Sequence, residues 1–480
     1  MPVEWTEAQI RDFGYQVVDL IAESLGSIDR GPVFRPVPPE VATSLSSQVL
    51  PQHGEPAEAL LADFRERVLP YPLGNGHRRF WGWVNSPPAV IGIFADALAA
   101  AMNPSVAGGN HAAVHLEHGV LGWFKEILGF PVESGGLLVS GGSVANLIGL
   151  AVARHERAGF DARSDGLQGV HQKLTVYTSV EGHSCIRKAV ELLGVGSANL
   201  RTIAVDDSFR IDVAALEAAI KSDVAAGYRP LAVAASAGTV NSGAIDPLVE
   251  VSAICRRHGA WFHVDGAYGA LAILSRRHGK ELAGLSLADS IAVDPHKWLS
   301  VPIEAGLVLV RDAAAMREAF SLVPSYLRTD DDPGGLGGPV WFSEYGIQQT
   351  RGFRALKVWM ALRHDGVEGS RAAIDQQIEL AELLRGRVER AADVELVASG
   401  LSVVCFRYAP PELAGDEEAI DALNRELLRR LQLGGDVFLS GTVLRGMFAL
   451  RGCIVNYKTR EEDIDRLVEL VRVTGTEVNG

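Results

Sequence analysis

Asp289-Ser-Ile-Ala-Val-Asp-Pro-His-Lys-Trp-Leu-Ser300 is the stretch on which the reading of the chain turns. It opens as a short apolar strand and ends in a turn that presents His296 and Lys297. A lysine just past a buried strand, preceded by Pro295 and flanked by Trp298 and Leu299, is an unusual place for a solvated charge. Desolvation disfavours an ammonium and so favours the neutral amine that Schiff-base chemistry needs. A lysine that snorkels from a strand end has the same local signature, so the upstream residues must decide.

Upstream, apolar strand-like runs at 173–178, 200–205, 231–235, 261–264 and 290–293 alternate with helical stretches such as 213–226 and 248–258. That alternation predicts a largely parallel sheet covered by helices on both faces, with ligands at the carboxyl ends of the strands. The chemically interesting residues fall at those ends: His183, the segment 236–239, Asp265 and Lys297. Asp265, in His263-Val-Asp-Gly-Ala-Tyr268, would be a costly carboxylate at the edge of a buried strand without a cationic partner. A protonated pyridine nitrogen is one such partner and a structural salt bridge is another. His183 alone reads as a satisfied core histidine sooner than as a functional one. Leu137-Leu-Val-Ser-Gly-Gly-Ser-Val-Ala-Asn146 runs into a helix beginning near Ser143, where free N–H groups and the dipole make a natural phosphate cradle. A glycine turn capping a core helix has the same pattern. The stretch is no P-loop, because no Gly-Lys-Ser/Thr follows, and it lacks the third glycine of a dinucleotide fingerprint.

The 480 residues, 47% apolar with 51 glycines, allow a large core and several domains of a soluble α/β enzyme. A net charge of −14 argues against nucleic acid or an anionic membrane as partner. The N-terminus has no signal-peptide pattern, and the most apolar segment, 89–101, carries Asp96 and is too short to span a bilayer. Cys185, Cys255, Cys405 and Cys453 lack metal-type spacing and read as reduced thiols, so a cytoplasmic protein without a metal site is expected.

Thr6-Glu-Ala-Gln9 has capping-box form, and Ile10, Phe13, Val17, Leu20, Ile21 and Leu25 follow at helical spacing. Gly31-Pro-Val-Phe-Arg-Pro-Val-Pro-Pro39 then imposes an extended connector. Such an arm has no core of its own and needs something to cover it. The expected organisation is an N-terminal helical arm (1–75), a large domain (76–350) and a small C-terminal α/β domain (351–480). In the last, 401–408 and 447–456 read as strands, and Thr459-Arg-Glu-Glu462 opens a final helix.

A phosphate cradle, an aromatic lid, an acid for a ring nitrogen and an amine for an aldehyde together describe a pyridoxal phosphate site. In His263-Val-Asp-Gly-Ala-Tyr268 and Asp294-Pro-His-Lys-Trp298, and in the separation between Asp265 and Lys297, the chain resembles the group II pyridoxal-phosphate-dependent amino-acid decarboxylases. The resemblance runs from the N-terminal arm to Leu450-Arg-Gly-Cys-Ile-Val-Asn456 and implies a fold-type-I homodimer with the site at the interface. It implies that Lys297 forms the Schiff base, His183 stacks on the pyridine ring, and Asp265 pairs with its nitrogen. Ala267 would pack behind the ring, Gly142 and Ser143 would hold the phosphate, and His296 would face cofactor or substrate. Asp294 stands where some relatives carry a phosphate-binding Asn, so that role is not carried over.

Trp81, Trp83 and Ser86 are candidates for the substrate pocket. By ungapped alignment, Asn103 and Ser105 stand where aromatic-substrate relatives place bulky apolar residues from the partner subunit. An aromatic L-amino acid is the first expectation. A polar or acidic substrate, a decarboxylation-coupled aldehyde synthase, or a non-catalytic protein retaining the fold are the alternatives. The glycine- and acid-rich stretch 327–349 is expected to be a mobile lid. Within it, Tyr345 is the expected proton donor, which makes amine the main product. Phe342 is the residue aligned with the phenylalanine of aldehyde-forming relatives. Trp341, Phe342 and Tyr345 would also serve simply as a hydrophobic anchor.

Overall fold

The computed structural model describes residues 4–169, 172–322 and 341–480. The chain forms two compact units, one from Met1–Pro87, Glu382–Val397 and Cys405–Gly480, the other from Pro88–Ala381 and Ala398–Val404.

The second unit is built on a seven-stranded sheet: β1 (Gly135–Val139), β2 (Leu174–Ser179), β3 (Leu200–Ile203), β4 (Arg229–Ser236), β5 (Trp261–Asp265), β6 (Ser290–Val293) and β7 (Gly306–Val310). Their spatial order is β1-β7-β6-β5-β4-β2-β3. From β3 to β6 the neighbours are parallel, whereas β7 lies antiparallel to both β6 and β1. The five expected strands are present. The structure adds β1 and β7, continuous apolar runs that carry no alternation from which periodicity can assign a strand. Leu307, Val308, Leu309 and Val310 are fully buried, each contributing about 1.5–3 kcal/mol by leaving water.

Helices cover the sheet as expected. Val213–Ala225 starts at Asp212, whose carboxylate accepts the amides of Ala214 (2.8 Å) and Ala215 (3.0 Å). Leu248–His258 ends on Gly259, at φ 65°, a left-handed cap that glycine adopts at little cost.

In the first unit Thr6 caps the helix Glu7–Ser27 with the expected box: Gln9 Oε1 accepts the Thr6 amide at 2.9 Å. No residue of that helix is buried in this chain. Further along, Phe80 stacks on Phe438 at 4.9 Å beside buried Val33. Trp81 is core, its indole N–H donating to Thr459 Oγ1 at 3.1 Å, while Trp83 is 48% exposed. A four-stranded sheet, lying mostly in this unit, takes the order β10-β11-β9-β8. Its strands are β8 (Val394–Gly400), β9 (Val403–Tyr408), β10 (Ser440–Leu444) and β11 (Met447–Cys453). β10 and β11 form a hairpin whose turn residues, Arg445 and Gly446, have φ of 50° and 85°, the signs a two-residue primed turn requires. Among the described residues no helix is long and apolar enough to cross a membrane, and the four cysteines are free and buried.

Candidate active site

A cavity of about 340 Å³ lies wholly within the second unit, at the carboxyl ends of its parallel strands. Its wall includes Gly142, Ser143, His183, Asp265, Ala267, His296 and Lys297. The structure therefore brings together every residue expected to hold the cofactor. Each arrives from its own strand end: Gly142 and Ser143 after β1, His183 after β2, Asp265 at the end of β5, His296 and Lys297 after β6.

At one side, the helix Gly142–Arg157 points its first turn at the cavity. Its first amides have no intrahelical acceptor and suit an anion. A Cβ at Gly142 would come within 2.9 Å of both Ala267 Cβ and Asp294 Oδ2, so only glycine allows this approach. Opposite, Asp265 is held by the Ala267 amide on Oδ1 (3.2 Å) and by the Cys185 thiol on Oδ2 (3.8 Å). His183 caps the helix Ser184–Leu192, its Nδ1 accepting the Cys185 amide at 3.2 Å, which leaves the proton of the neutral ring on Nε2. Desolvation lowers the His183 pKa, opposed by Asp265, so the ring is neutral near pH 7.

Lys297 sits in the short helix Pro295–Trp298, and its amine lies 3.0 Å from Asp294 Oδ2. The sequence suggested an amine walled by apolar side chains; the structure instead gives it a buried carboxylate. Asp294 is 2% exposed, and its Oδ1 has no hydrogen-bond partner among the described residues. His296 places Nδ1 2.7 Å from the Ala305 carbonyl and 3.3 Å from the Ala305 amide, with Nε2 3.8 Å from Asp294 Oδ2. Tyr268, also in the wall, is fixed by stacking on Trp298 at 4.9 Å and by a 2.6 Å hydrogen bond to Ser402.

This donor set fits pyridoxal phosphate. The free helix amides suit its phosphate, Asp265 suits a protonated ring nitrogen, and Lys297 suits its aldehyde. The cavity volume is at the lower end of the range for small-molecule sites. Ligand atoms of His183, Cys185 and Asp265 also lie within 4.8 Å of one another. Burial raises the Cys185 pKa and its S–H donates to Asp265, so the trio is hydrogen-bonded rather than poised for a metal.

The remaining expected site residues lie elsewhere. Phe342 and Tyr345 are absent from the cavity wall. Phe342 is 2% exposed, its ring 5.1 Å from the guanidinium of Arg351. Arg351 is fully buried with Glu117 at 2.5 Å and also donates to the carbonyls of Leu138 (2.6 Å) and Val106 (2.8 Å). Phe342 is thus an anchor on a buried ion pair. Tyr345 follows it, half-buried beside Arg317 and Glu344. Asn103 and Ser105 are exposed just after the helix Val90–Met102, and Trp83 and buried Ser86 belong to the other unit. Residues 327–340 of the expected lid lie outside the described residues. Asn146 and Cys185 were missed from sequence; the available signals were Asn146 one helical turn after Gly142 and Cys185 two residues after His183.

Comparison with known proteins agrees with this geometry. The family model described as the pyridoxal-dependent decarboxylase conserved domain matches residues 39–409. An aromatic-L-amino-acid decarboxylase of Bacillus atrophaeus is 34% identical over 98% of this chain and 96% of its own. A phenylacetaldehyde synthase of Arabidopsis thaliana is 30% identical over 97% and 95%. Among solved structures, Oryza sativa TDC with PLP and tryptamine superposes with a TM-score of 0.91 at 28% identity, covering 99% of each chain. Since the family match spans most of the chain and the residues it needs converge on one cavity, the protein belongs to the pyridoxal-dependent decarboxylases and is a carboxy-lyase that uses pyridoxal phosphate.

Proposed function

We propose that the chain removes the α-carboxylate of an aromatic L-amino acid and releases the amine. The observation that carries this is the convergence of Lys297, Asp265, His183 and the Gly142–Ser143 turn on one cavity. Relatives named for aromatic substrates match almost end to end and support the substrate class. Pyridoxal phosphate supplies an aldehyde for the substrate amine and a protonated ring that accepts the electrons left when carbon dioxide departs. Lys297 would hold the aldehyde in the absence of substrate, and Asp294, 3.0 Å from its amine, would balance the charge of that amine when free. Asp265 would keep the proton on the ring nitrogen, without which the ring is a poor electron sink. Ser143 and the Gly142 amide would hold the phosphate, Ala267 and the neutral His183 would face the ring, and His296 would face cofactor or substrate.

Tyr345 is assigned the return of the proton to the substrate carbon. Burial raises its pKa, so the phenol keeps the proton it must give. Because it lies outside this chain's cavity wall, it must reach a site by movement of its segment or by serving a second copy. Phe342, buried under Arg351, is assigned an anchoring role, which disfavours the aldehyde-synthase reading despite the similarity to a phenylacetaldehyde synthase.

The active form is a homodimer. An exposed stripe of Val90, Phe94, Leu98 and Met102, repeating every four residues on one helix, supports this and leads directly to Asn103 and Ser105. The unburied helix Glu7–Ser27, with Ile10, Tyr15 and Val18 exposed, supports it as well. Asn103 and Ser105 then line the pocket of the partner subunit, and Trp83 and Ser86 are assigned to the substrate side. A cytoplasmic location is part of the same reading.

The test is the absorption of the purified protein, followed by carbon dioxide release measured across the proteinogenic amino acids with product analysis. Release from an aromatic amino acid with one amine per carbon dioxide is expected. A preference for an acidic substrate, or aldehyde with hydrogen peroxide as main products, overturns the reading.

A further inference from the structure

Behind Asp265 runs a continuous buried chain of polar groups. The Trp261 indole N–H donates to Ser290 Oγ at 2.8 Å, and Ser290 Oγ lies 2.7 Å from His263 Nδ1. His263 Nε2 lies 2.6 Å from Asn146 Oδ1. Asn146 Nδ2 donates to the Gly142 carbonyl at 2.7 Å and to Cys185 Sγ at 3.5 Å, and Cys185 Sγ reaches Asp265 Oδ2 at 3.8 Å. Asn146, His263 and Ser290 are all fully buried, with Cys185 at 4% exposed. Room for the His263–Ser290 pair comes from Gly149, where a Cβ would lie 2.8 Å from the imidazole.

The direction of every proton in this chain is fixed by elimination. The Gly142 carbonyl only accepts, so Asn146 faces it with Nδ2 and offers Oδ1 to His263 Nε2, which must donate; Nδ1 of the neutral ring then accepts, and Ser290 Oγ, which takes the indole N–H, gives its own proton there. His263 then carries its proton on Nε2 and donates it to Asn146 Oδ1. Burial pushes the His263 pKa down to about 4, which keeps the ring in this neutral form. With its oxygen so engaged, Asn146 turns both amide protons away, one to the Gly142 carbonyl and one to the Cys185 sulfur. The Asp265 carboxylate only accepts, so the Cys185 thiol, which takes a proton from Asn146 on its sulfur, donates its own to Asp265 Oδ2.

We propose that Cys185 is a positioning residue for Asp265, and that the chain Trp261–Ser290–His263–Asn146 fixes the direction of its thiol proton. Asp265 then accepts one donor on each oxygen before the ring nitrogen arrives, the Ala267 amide on Oδ1 and Cys185 on Oδ2. A carboxylate engaged in this way competes less for a shared proton, so the proton stays on the ring nitrogen and the ring remains an electron acceptor. The same chain ends at the Gly142 carbonyl and so ties the phosphate turn to the residue that faces the ring nitrogen. The inference rests on the assignment of Asp265 to that nitrogen.

The experiment is nuclear magnetic resonance of the holoenzyme carrying pyridoxal phosphate isotope-labelled at the ring nitrogen, whose resonance reports its protonation whatever the turnover. In Cys185→Ala the resonance should move toward that of a neutral pyridine, and in Cys185→Ser, which keeps a donor, it should return toward wild type. Ser290→Ala, a small change remote from the cofactor, should move it in the same direction by a smaller shift. That variant keeps the test intact if Cys185→Ala does not fold. A resonance altered in Asp265→Ala but unchanged in Cys185→Ala and Ser290→Ala refutes this inference alone. One unchanged in Asp265→Ala refutes the assignment of Asp265, and this inference with it.

Discussion

Replacing Arg351 by methionine probes the ion pair on which Phe342 rests. Arg351 and Glu117 are both fully buried, and the guanidinium also donates to the carbonyls of Leu138 and Val106, while Glu117 Oε1 accepts the Leu138 amide at 3.0 Å. Arg351→Met leaves Glu117 uncompensated in the core, and breaking such a pair costs about 3–5 kcal/mol. Spread over the local opening of β1, that is about a hundred-fold to a few-thousand-fold faster amide exchange, at roughly tenfold per 1.4 kcal/mol. Hydrogen–deuterium exchange of the peptide containing Leu138, in the cofactor-loaded protein, reads this directly. A partner change, Glu117→Leu combined with Arg351→Met, removes the orphaned charge and should restore a large share of the protection to the neighbouring amides of the peptide, though two carbonyls still lack their donor and the Leu138 amide its acceptor. Acceleration below about tenfold in Arg351→Met, or a double variant no better protected than the single one, would refute the reasoning.

Borohydride reduction followed by peptide mapping should place the pyridoxyl group on Lys297; a label on any other lysine sinks that assignment. Sedimentation of the loaded protein should give about twice the 51.4 kDa chain mass, and an active monomer at all concentrations refutes both the dimer and the partner role of Asn103 and Ser105. Tyr345→Phe should lower amine and raise aldehyde and hydrogen peroxide, whereas an unchanged product ratio removes Tyr345 from the chemistry.

The residues of the cavity wall could be read from sequence because open α/β sheets collect their chemistry at strand ends. There, His183, Asp265 and Lys297 stand out as polar groups following apolar runs. β1 and β7 could not be read this way: Gly135-Gly-Leu-Leu-Val139 looks like the lead-in to a glycine turn, and Gly306-Leu-Val-Leu-Val310 is apolar throughout. The support behind Asp265 was hidden for a different reason. His263 meets Asn146 across 117 residues of sequence and Cys185 meets Asn146 across 39, and a single sequence carries no signal for such pairings. Asp294 was nearer to hand, three residues before Lys297. The resemblance draws attention to a phosphate role at that position, whereas the fold turns its carboxylate to the amine, 3.0 Å away. Phe342 and Tyr345 show the limit of counting along a chain: three residues apart on one short turn, one is buried on an ion pair and the other is only half-buried.

The position of β1 sets the order of events during synthesis. Gly135 and Val139 pair with Val310 and Gly306, so the strand that leads into the Gly142–Ser143 turn has its ladder partner only after more than half the chain has been made. Until then, the apolar faces of β1 and of Gly142–Arg157 have nothing on that side to close against, and such non-local pairing forms slowly because loop closure precedes its reward. The half-site on β2, β4 and β5 can assemble earlier, but the Gly142–Ser143 turn and Lys297 meet only when β7 slots between β1 and β6. Capture of the cofactor is therefore a late event that draws the nascent sheet toward its closed form by mass action.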